Sequence, residues 1–340
     1  MLNEIDSVIL QTGETMRVCL LQPPADEWME RMTSFTEHYN DQPRRDITQR
    51  LRGDYAYACE DFYFMGIIDG QVAGQVWYGY AKDSDGIANF GNVYTAPMHR
   101  KKGITGILME YFSRSFRGSG ARAAFCTCGN PWIVSIYTKY GFRPALPGTG
   151  GGPLMLANEG ITADFTRFAD NYYKIISQAK LSVVPADIRQ RHSVDTLLNF
   201  YGRLPTGHIV PRIALASIVW NYQYALHLVQ DGCGKLFAAV TDDDRVVGWA
   251  FCLNPASHFE RRTGLIDYEI HPNYAAFAPT LIRETAMASK DSFDFIHAQI
   301  PSFAIDKHKA LIDAGFTRSN VLSKYGCHDG QSFDLEDFQR

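Results

Sequence analysis

The stretch of this sequence richest in chemistry is Arg100-Lys101-Lys102-Gly103-Ile104-Thr105-Gly106, three cations followed closely by two glycines. From Ile104 onward the apolar residues Ile104, Ile107, Leu108, Tyr111 and Phe112 recur at i, i+3, i+4, i+7 and i+8, the stripe of an amphipathic helix. The glycines therefore stand at a helix start. Unpaired backbone N–H groups and the positive end of the helix dipole favour an anion there, and glycine lets it approach the backbone. A pyrophosphate suits such a loop, yet the loop matches neither G-x-x-x-x-G-K-[ST] nor G-x-G-x-x-G.

A second set of residues follows. Ala121 to Cys128 is a short apolar run suited to a buried strand, and Asn130-Pro131 opens another helix, which holds Tyr137 and ends at Gly141-Phe142. Upstream of the loop, Ile87 to Thr95 reads as the strand that delivers it.

These segments, in this order, resemble the GNAT superfamily of N-acyltransferases. Arg100 to Thr105 fit the family's [QR]-x-x-G-x-[GA] loop except at Thr105, whose bulk could crowd a phosphate, although Gly106 follows directly. Asn130, Ile136, Tyr137, Lys139, Gly141 and Phe142 fall at the spacing of N-x-x-A-x-x-L-Y-x-K-x-G-F, with Ile133 in place of alanine. The resemblance implies acetyl-CoA, or another acyl-CoA, as co-substrate and no metal. Arg100, Lys101, Lys102, Gly103, Ile104, Thr105 and Gly106 would hold its pyrophosphate, the backbone of Val93, Tyr94 and Thr95 would align its thioester, and Asn130 would touch it. Tyr137 would be catalytic, its hydroxyl protonating or hydrogen-bonding the departing thiolate.

The general base has no assignment. Relatives often carry a glutamate near this strand, whereas Asn89 and Asn92 stand here and neither takes a proton at neutral pH. Glu37, Glu60, Asp61, Asp83 and Asp85 are candidates of equal rank. Cys126 and Cys128 share one strand face and raise the idea of an acyl-cysteine, against which stands the usual inertness of buried cysteine. Arg44, Arg45, Arg50 and Arg52, with Asp46 and Asp54, read first as a solvated charged face; the family resemblance places them near the acceptor pocket.

The elements that must position these residues are legible as well. Met16 to Leu21 is a strand, a helical stretch runs from about Ala25 to His38, and Phe62–Ile68 and Val72–Tyr80 form a hairpin across Asp69-Gly70. Gly148 to Pro153 is a turn into a last hairpin strand. Val72-Ala73-Gly74 recurs as Val246-Val247-Gly248 and Gly141-Phe142 as Gly315-Phe316, both after 174 residues. In that second copy Ala275 and Ala278 replace Arg100 and Gly103, Ala304 replaces Asn130, and Leu311 replaces Tyr137, so the cofactor chemistry is gone.

The expected fold is α/β of the α+β type: two GNAT-like domains, each a mixed, mostly antiparallel sheet flanked by helices. Residues 1–158 would be the catalytic domain, 159–180 a helical connector with Phe165, Phe168, Ala169 and Tyr172 on one face, and 181–340 a degenerate copy that packs on the first and shapes the acceptor site. A chain of 340 residues with 46% hydrophobic and 21% charged residues accommodates two such domains. A net charge of -4 gives no general attraction to nucleic acid, and no apolar run approaches a membrane span. With no basic leader, the expected location is the cytoplasm, and the partner a small-molecule amine; homo-oligomerisation stays open. Seven scattered cysteines indicate neither a disulfide framework nor zinc. Two other readings keep the cofactor site: a protein or peptide N-acetyltransferase, and a non-catalytic acyl-CoA-binding regulatory module.

Overall fold

The computed structural model describes residues 2–33, 41–82, 86–145, 152–176, 180–200, 218–254, 263–328 and 330–340. The chain divides into two units, Met1–Asn171 and Tyr172–Arg340.

In the first unit β1 (Leu2–Ile9), β2 (Thr15–Leu21), β3 (Cys59–Ile68), β4 (Gln71–Ala81) and β5 (Ile87–Thr95) pair antiparallel in succession. The β3–β4 hairpin turns on Asp69 and Gly70, both at positive φ as a tight turn requires. β5 runs parallel to β6 (Ala123–Cys128), so the chain must cross over between them, and α3 (Ile104–Arg117) makes that crossing. The sheet ends with β8 (Gly152–Ala157) and the two-residue β7 (Arg143–Pro144). β1 was not apparent from the sequence, because as an edge strand it is exposed and its pattern carries no apolar alternation.

Both faces of this sheet are covered. The apolar stripe of α3, through Ile104, Leu108, Phe112 and Phe116, packs with Phe64, Val76, Tyr78 and Phe90, and α4 (Pro131–Lys139) joins them through Val134 and Tyr137. On the opposite face α1 (Met29–Thr33) and α2 (Asp41–Arg52) lie over Cys19, Leu21, Tyr63, Met65 and Trp77. α5 (Phe165–Tyr172) is shorter than the predicted connector helix, and its Phe168 ring lies 5.7 Å from Phe125 of β6. Glu37, Asp83, Asp85 and most of the Gly148–Pro153 turn lie outside the described residues.

The second unit contains β9 (Leu181–Pro185), α6 (Arg191–Phe200), α7 (Ile218–Gln230), β10 (Gly234–Thr241), β11 (Val246–Leu253), β12 (Thr263–Ile270), α8 (Ala278–Ala288), β13 (Phe295–Pro301), α9 (Ile305–Asp313), β14 (Thr317–His328) and β15 (Gln331–Gln339). Its strand order, β9-β10-β11-β12-β13-β15-β14, repeats that of β2-β3-β4-β5-β6-β8-β7 in the first unit. The parallel step also recurs, between β12 and β13. The chain is thus a tandem of two mixed sheets built on one plan.

Candidate active site

The first unit's sheet opens at its parallel step. β5 pairs with β6 only from Ile87 to Asn89, so from Phe90 onward β5 has no β6 partner. On its other edge the β4–β5 register shifts by one residue between Gln75 and Trp77, and Asn92 takes a positive φ of 50°. An extra residue in one strand increases its local twist. Beyond the split, Gly91 to Ala96 are all partly exposed. The backbone of Val93, Tyr94 and Thr95 therefore lies on the part of β5 that β6 leaves unpaired.

The helix that follows starts on this strand. Gly103 is its N-cap, at φ 82°, and no side chain caps the first turn. A Cβ on Gly103 would meet nothing within 4 Å, so the left-handed backbone conformation, not space, selects glycine. Lys101 is also left-handed, at φ 64°. Gly74 on β4 lets the helix sit close: a Cβ there would lie 2.9 Å from Ile104 Cγ2 and 3.0 Å from the Tyr94 carbonyl oxygen.

The three cations of the loop differ in their commitments. Arg100 donates from Nε to the Thr95 carbonyl at 3.2 Å, which ties the loop to the strand end. Lys102 is drawn toward the β1–β2 turn, its Nζ 2.7 Å from Glu14 and 3.4 Å from His99 Nδ1. Lys102 and a hydrogen bond from Thr12 hold the Glu14 carboxyl below its ordinary range. Lys101 is exposed. Thr105 does not project freely, because its hydroxyl is hydrogen-bonded to that of Thr95 at 2.8 Å.

On the neighbouring helix Asn130 is the N-cap, its Oδ1 accepting from the Trp132 backbone N–H at 3.0 Å. Tyr137 is buried, its ring edge-on to Phe90 at 5.3 Å and 5.7 Å from Phe142. Phe90 is the first β5 residue past the last pairing with β6, so Tyr137 stands beside the mouth of the split. The structure thus brings the strand end, the loop and Tyr137 into one neighbourhood and commits Asn130 to capping.

The other candidates separate. Burial, with Cys128 adding to it, pushes the Cys126 thiol well up, so it stays protonated and is a poor nucleophile. Glu60 accepts a 2.8 Å hydrogen bond from Tyr80. Asp61 accepts one from Trp77 Nε1 at 2.8 Å, with Arg50 Nε 3.8 Å away.

Asp61 belongs to a group the sequence did not reveal. Arg50 pairs with Asp46 one helical turn earlier, and its guanidinium lies 3.8 Å from the centroid of the Trp77 ring. All three charged side chains are buried on the α2 face. Gln75 Oε1, also buried there, has no hydrogen-bond partner among the described residues, and the Tyr63 hydroxyl lies beside Arg50. Burial pushes the Tyr63 hydroxyl well up. The i,i+4 spacing of Asp46 and Arg50 was a signal for a pair; that Asp61 and Trp77 would meet it from the sheet was not visible in spacing.

Residues 26–142 match the model of the Acetyltransferase (GNAT) family. The chain carries a GNAT acetyltransferase domain. Its enzyme class is accordingly that of an N-acetyltransferase. No match was found among curated proteins. Among solved structures the GNAT domain is similar to ribosomal-protein-alanine N-acetyltransferase from Brucella melitensis, with 17% identity and a TM-score of 0.39 over 47% of this chain and 98% of that one. It is also similar to ribosomal-protein-S5-alanine acetyltransferase from Vibrio fischeri, with 14% identity, a TM-score of 0.40 and coverage of 47% and 92%. Spermidine N-acetyltransferase from Vibrio cholerae, solved with CoA and spermine, gives 13%, 0.37, and 47% and 94%. Among the described residues of the whole chain, no three His, Cys, Asp or Glu side chains gather as a metal site, and no helix is long and apolar enough to cross a membrane.

Proposed function

We propose that the GNAT domain transfers an acyl group, acetyl in the simplest case, from acyl-CoA to a primary amine of a small molecule by direct attack on the thioester. The observation that carries this reading is the opening between β5 and β6, set directly before an uncapped helix N-terminus at Gly103. An extended pantetheine can pair with the freed edge of Val93 to Thr95 while its pyrophosphate meets the first-turn amides of Ile104 to Gly106 and the charges of Arg100, Lys101 and Lys102. Asn130 shapes the cofactor's edge through the helix it caps. We place the catalytic part in 1–158 and the cofactor-free copy in 181–340, with 159–180 between them.

In the reaction the amine nitrogen bonds to the thioester carbonyl carbon, a backbone amide of β5 stabilises the oxyanion, and the C–S bond breaks. Tyr137 gives its phenolic proton to the departing sulfur and is reprotonated by solvent. The proton lost by the amine leaves to water; of the base candidates among the described residues, Glu60 is engaged by Tyr80 and Asp61 by Trp77 and Arg50.

Calorimetric titration of acetyl-CoA into wild type and Gly103→Glu tests the reading. One site per chain, weakened at least about a hundredfold by the strained, negatively charged substitution, is the expected result. No binding to wild type, or unchanged binding to the variant, would overturn it.

A further inference from the structure

The loop at Arg100–Gly106 has a neighbour that lies before the 26–142 segment of the family match, the turn between β1 and β2. Hydrogen bonds within that turn give it a set shape. Gly13 takes a φ of 85°, its N–H donates to the Leu10 carbonyl at 2.9 Å, and the Leu10 N–H donates to the Glu14 carbonyl at 2.8 Å. Leu10 and Met16, which flank the turn, are buried in the same core cluster as Ile104, the first residue of α3. Farther along, the Tyr111 hydroxyl of α3 donates to the Asp6 carboxylate of β1. The hairpin is therefore held against α3 at its start and along its length, which keeps Glu14 beside the cofactor loop.

Glu14 stands in that loop's field as an anion. Its Oε1 accepts from Lys102 Nζ at 2.7 Å and its Oε2 from Thr12 Oγ1 at 2.6 Å, so the carboxylate is aimed at the residue directly before the Gly103 N-cap. His99 Nδ1 lies 3.4 Å from the same ammonium. The other two cations of the loop have no carboxylate partner among the described residues, since Arg100 donates to the Thr95 carbonyl and Lys101 is exposed. A helix N-terminus flanked by cations draws anions, and here the chain supplies one of its own to the same place. The Lys102 and Glu14 side chains are 20% and 36% exposed, which leaves the pair open to exchange with a solute. Lysine's flexible stem lets its ammonium turn from one anion to another while the loop backbone stays in place.

We propose that Glu14 is a resident counter-anion of the cofactor loop, which a pyrophosphate displaces from Lys102 on binding and which reclaims Lys102 on release. The proposal rests on the acyl-CoA reading above and adds to it a residue that sets cofactor affinity without touching the thioester. Glu14 weakens binding, because Lys102 must first be freed from it. It also hastens the departure of CoA, the product that must leave before the next acyl-CoA enters. Glu14 is fixed by its own turn, so the moving part is the Lys102 side chain.

Calorimetry of CoA at low ionic strength, with dissociation rates from stopped flow, compares wild type, Glu14→Gln, Lys102→Met and the double variant. Glutamine keeps the size of Glu14 and an acceptor for Thr12 Oγ1, so the charge is lost while the turn is preserved. Glu14→Gln is expected to bind CoA about threefold tighter, the order of one exposed ion pair, and to release it correspondingly more slowly. In the Lys102→Met background that gain should shrink to within about 1.5-fold, because Glu14 acts through the ammonium. Equal or weaker binding by Glu14→Gln would make the pair a brace for the loop; that result, or a gain that persists without Lys102, would overturn the proposal and leave the acyl-CoA reading standing. Failure of CoA to bind either wild type or Glu14→Gln would remove the acyl-CoA reading and the role of Glu14 together.

Discussion

The two units follow one strand order and differ at one place, the parallel step of the sheet. In the first, β5 leaves β6 after Asn89, gains a bulge at Asn92, and keeps Gly91 to Ala96 partly exposed. In the second, β12 leaves β13 after Leu265 at the same depth, but it pairs with β11 without a register shift, and Ile266 to Ile270 are all buried. The gap is filled from within. Lys307 of α9 donates to Asp267 at 2.7 Å and lies 5.1 Å from the Tyr268 ring centroid. The helix starts differ in the same sense: Gly103 and Lys101 are left-handed before α3, whereas a 3₁₀ turn over Pro272–Phe277 winds directly into α8 with Phe277 right-handed. A split sheet is therefore shared by the two units, and the ligand slot proposed above is the split that the chain leaves unfilled.

The sharpest way to break this comparison is to remove the filling. Lys307→Ala strands a buried Asp267 carboxylate, and chemical denaturation should show the second unit destabilised by about 3–5 kcal/mol. A loss below about 1 kcal/mol would mean that the pair is not what closes the gap.

The next effect is catalytic. Tyr137→Phe keeps the ring against Phe90 and removes the hydroxyl, so kcat should fall by about a hundredfold with acetyl-CoA affinity unchanged. Full retention of kcat would reduce Tyr137 to packing, the role Leu311 fills in the second unit.

A smaller difference concerns acid. His271, buried at the head of the second unit's 3₁₀ turn and stacked on Tyr173 at 4.2 Å, has its pKa lowered to about 4 by burial. The unfolded chain, with an ordinary value near 6.5, binds more protons between those limits, so stability falls as pH drops from about 6.5 to about 4. The expected loss is about 2 kcal/mol in the second unit. His271→Asn, which keeps an acceptor for the Asn273 backbone N–H, should flatten the slope of thermal stability against pH.

The smallest effect belongs to Cys126. Its replacement by alanine should change kcat less than about twofold, and acid quenching of the reaction should trap no acyl-protein, because the buried thiol stays protonated.

Much of the scaffold of this candidate site was legible in the sequence for a local reason. The loop, its helix and the Asn130 to Phe142 segment are each set by neighbours along the chain, through helix periodicity, capping and the turn conformation of glycine. The strand Ile87–Thr95 and the Asp69-Gly70 hairpin were likewise written locally. What escaped depends on pairing across the sheet. The Asn92 bulge exists only relative to β4, and the commitment of Lys102 to Glu14 spans 88 residues. Arg50, read as part of a solvated face, is buried because Asp61 and Trp77 reach it from β3 and β4. β1 escaped for the opposite reason, since an exposed edge strand needs no apolar pattern at all.

The Lys307–Asp267 pair also bears on how freely the second unit's split could be opened. Replacing Lys307 alone leaves the Asp267 charge buried without its ammonium, and it supplies no left-handed glycine before α8 of the kind that Gly103 provides before α3. Opening that split by removing Lys307 is thus downhill in stability while the start of α8 stays as it is. Two sheets on one strand order therefore need not be equally open to change: a single buried ion pair holds one of them shut.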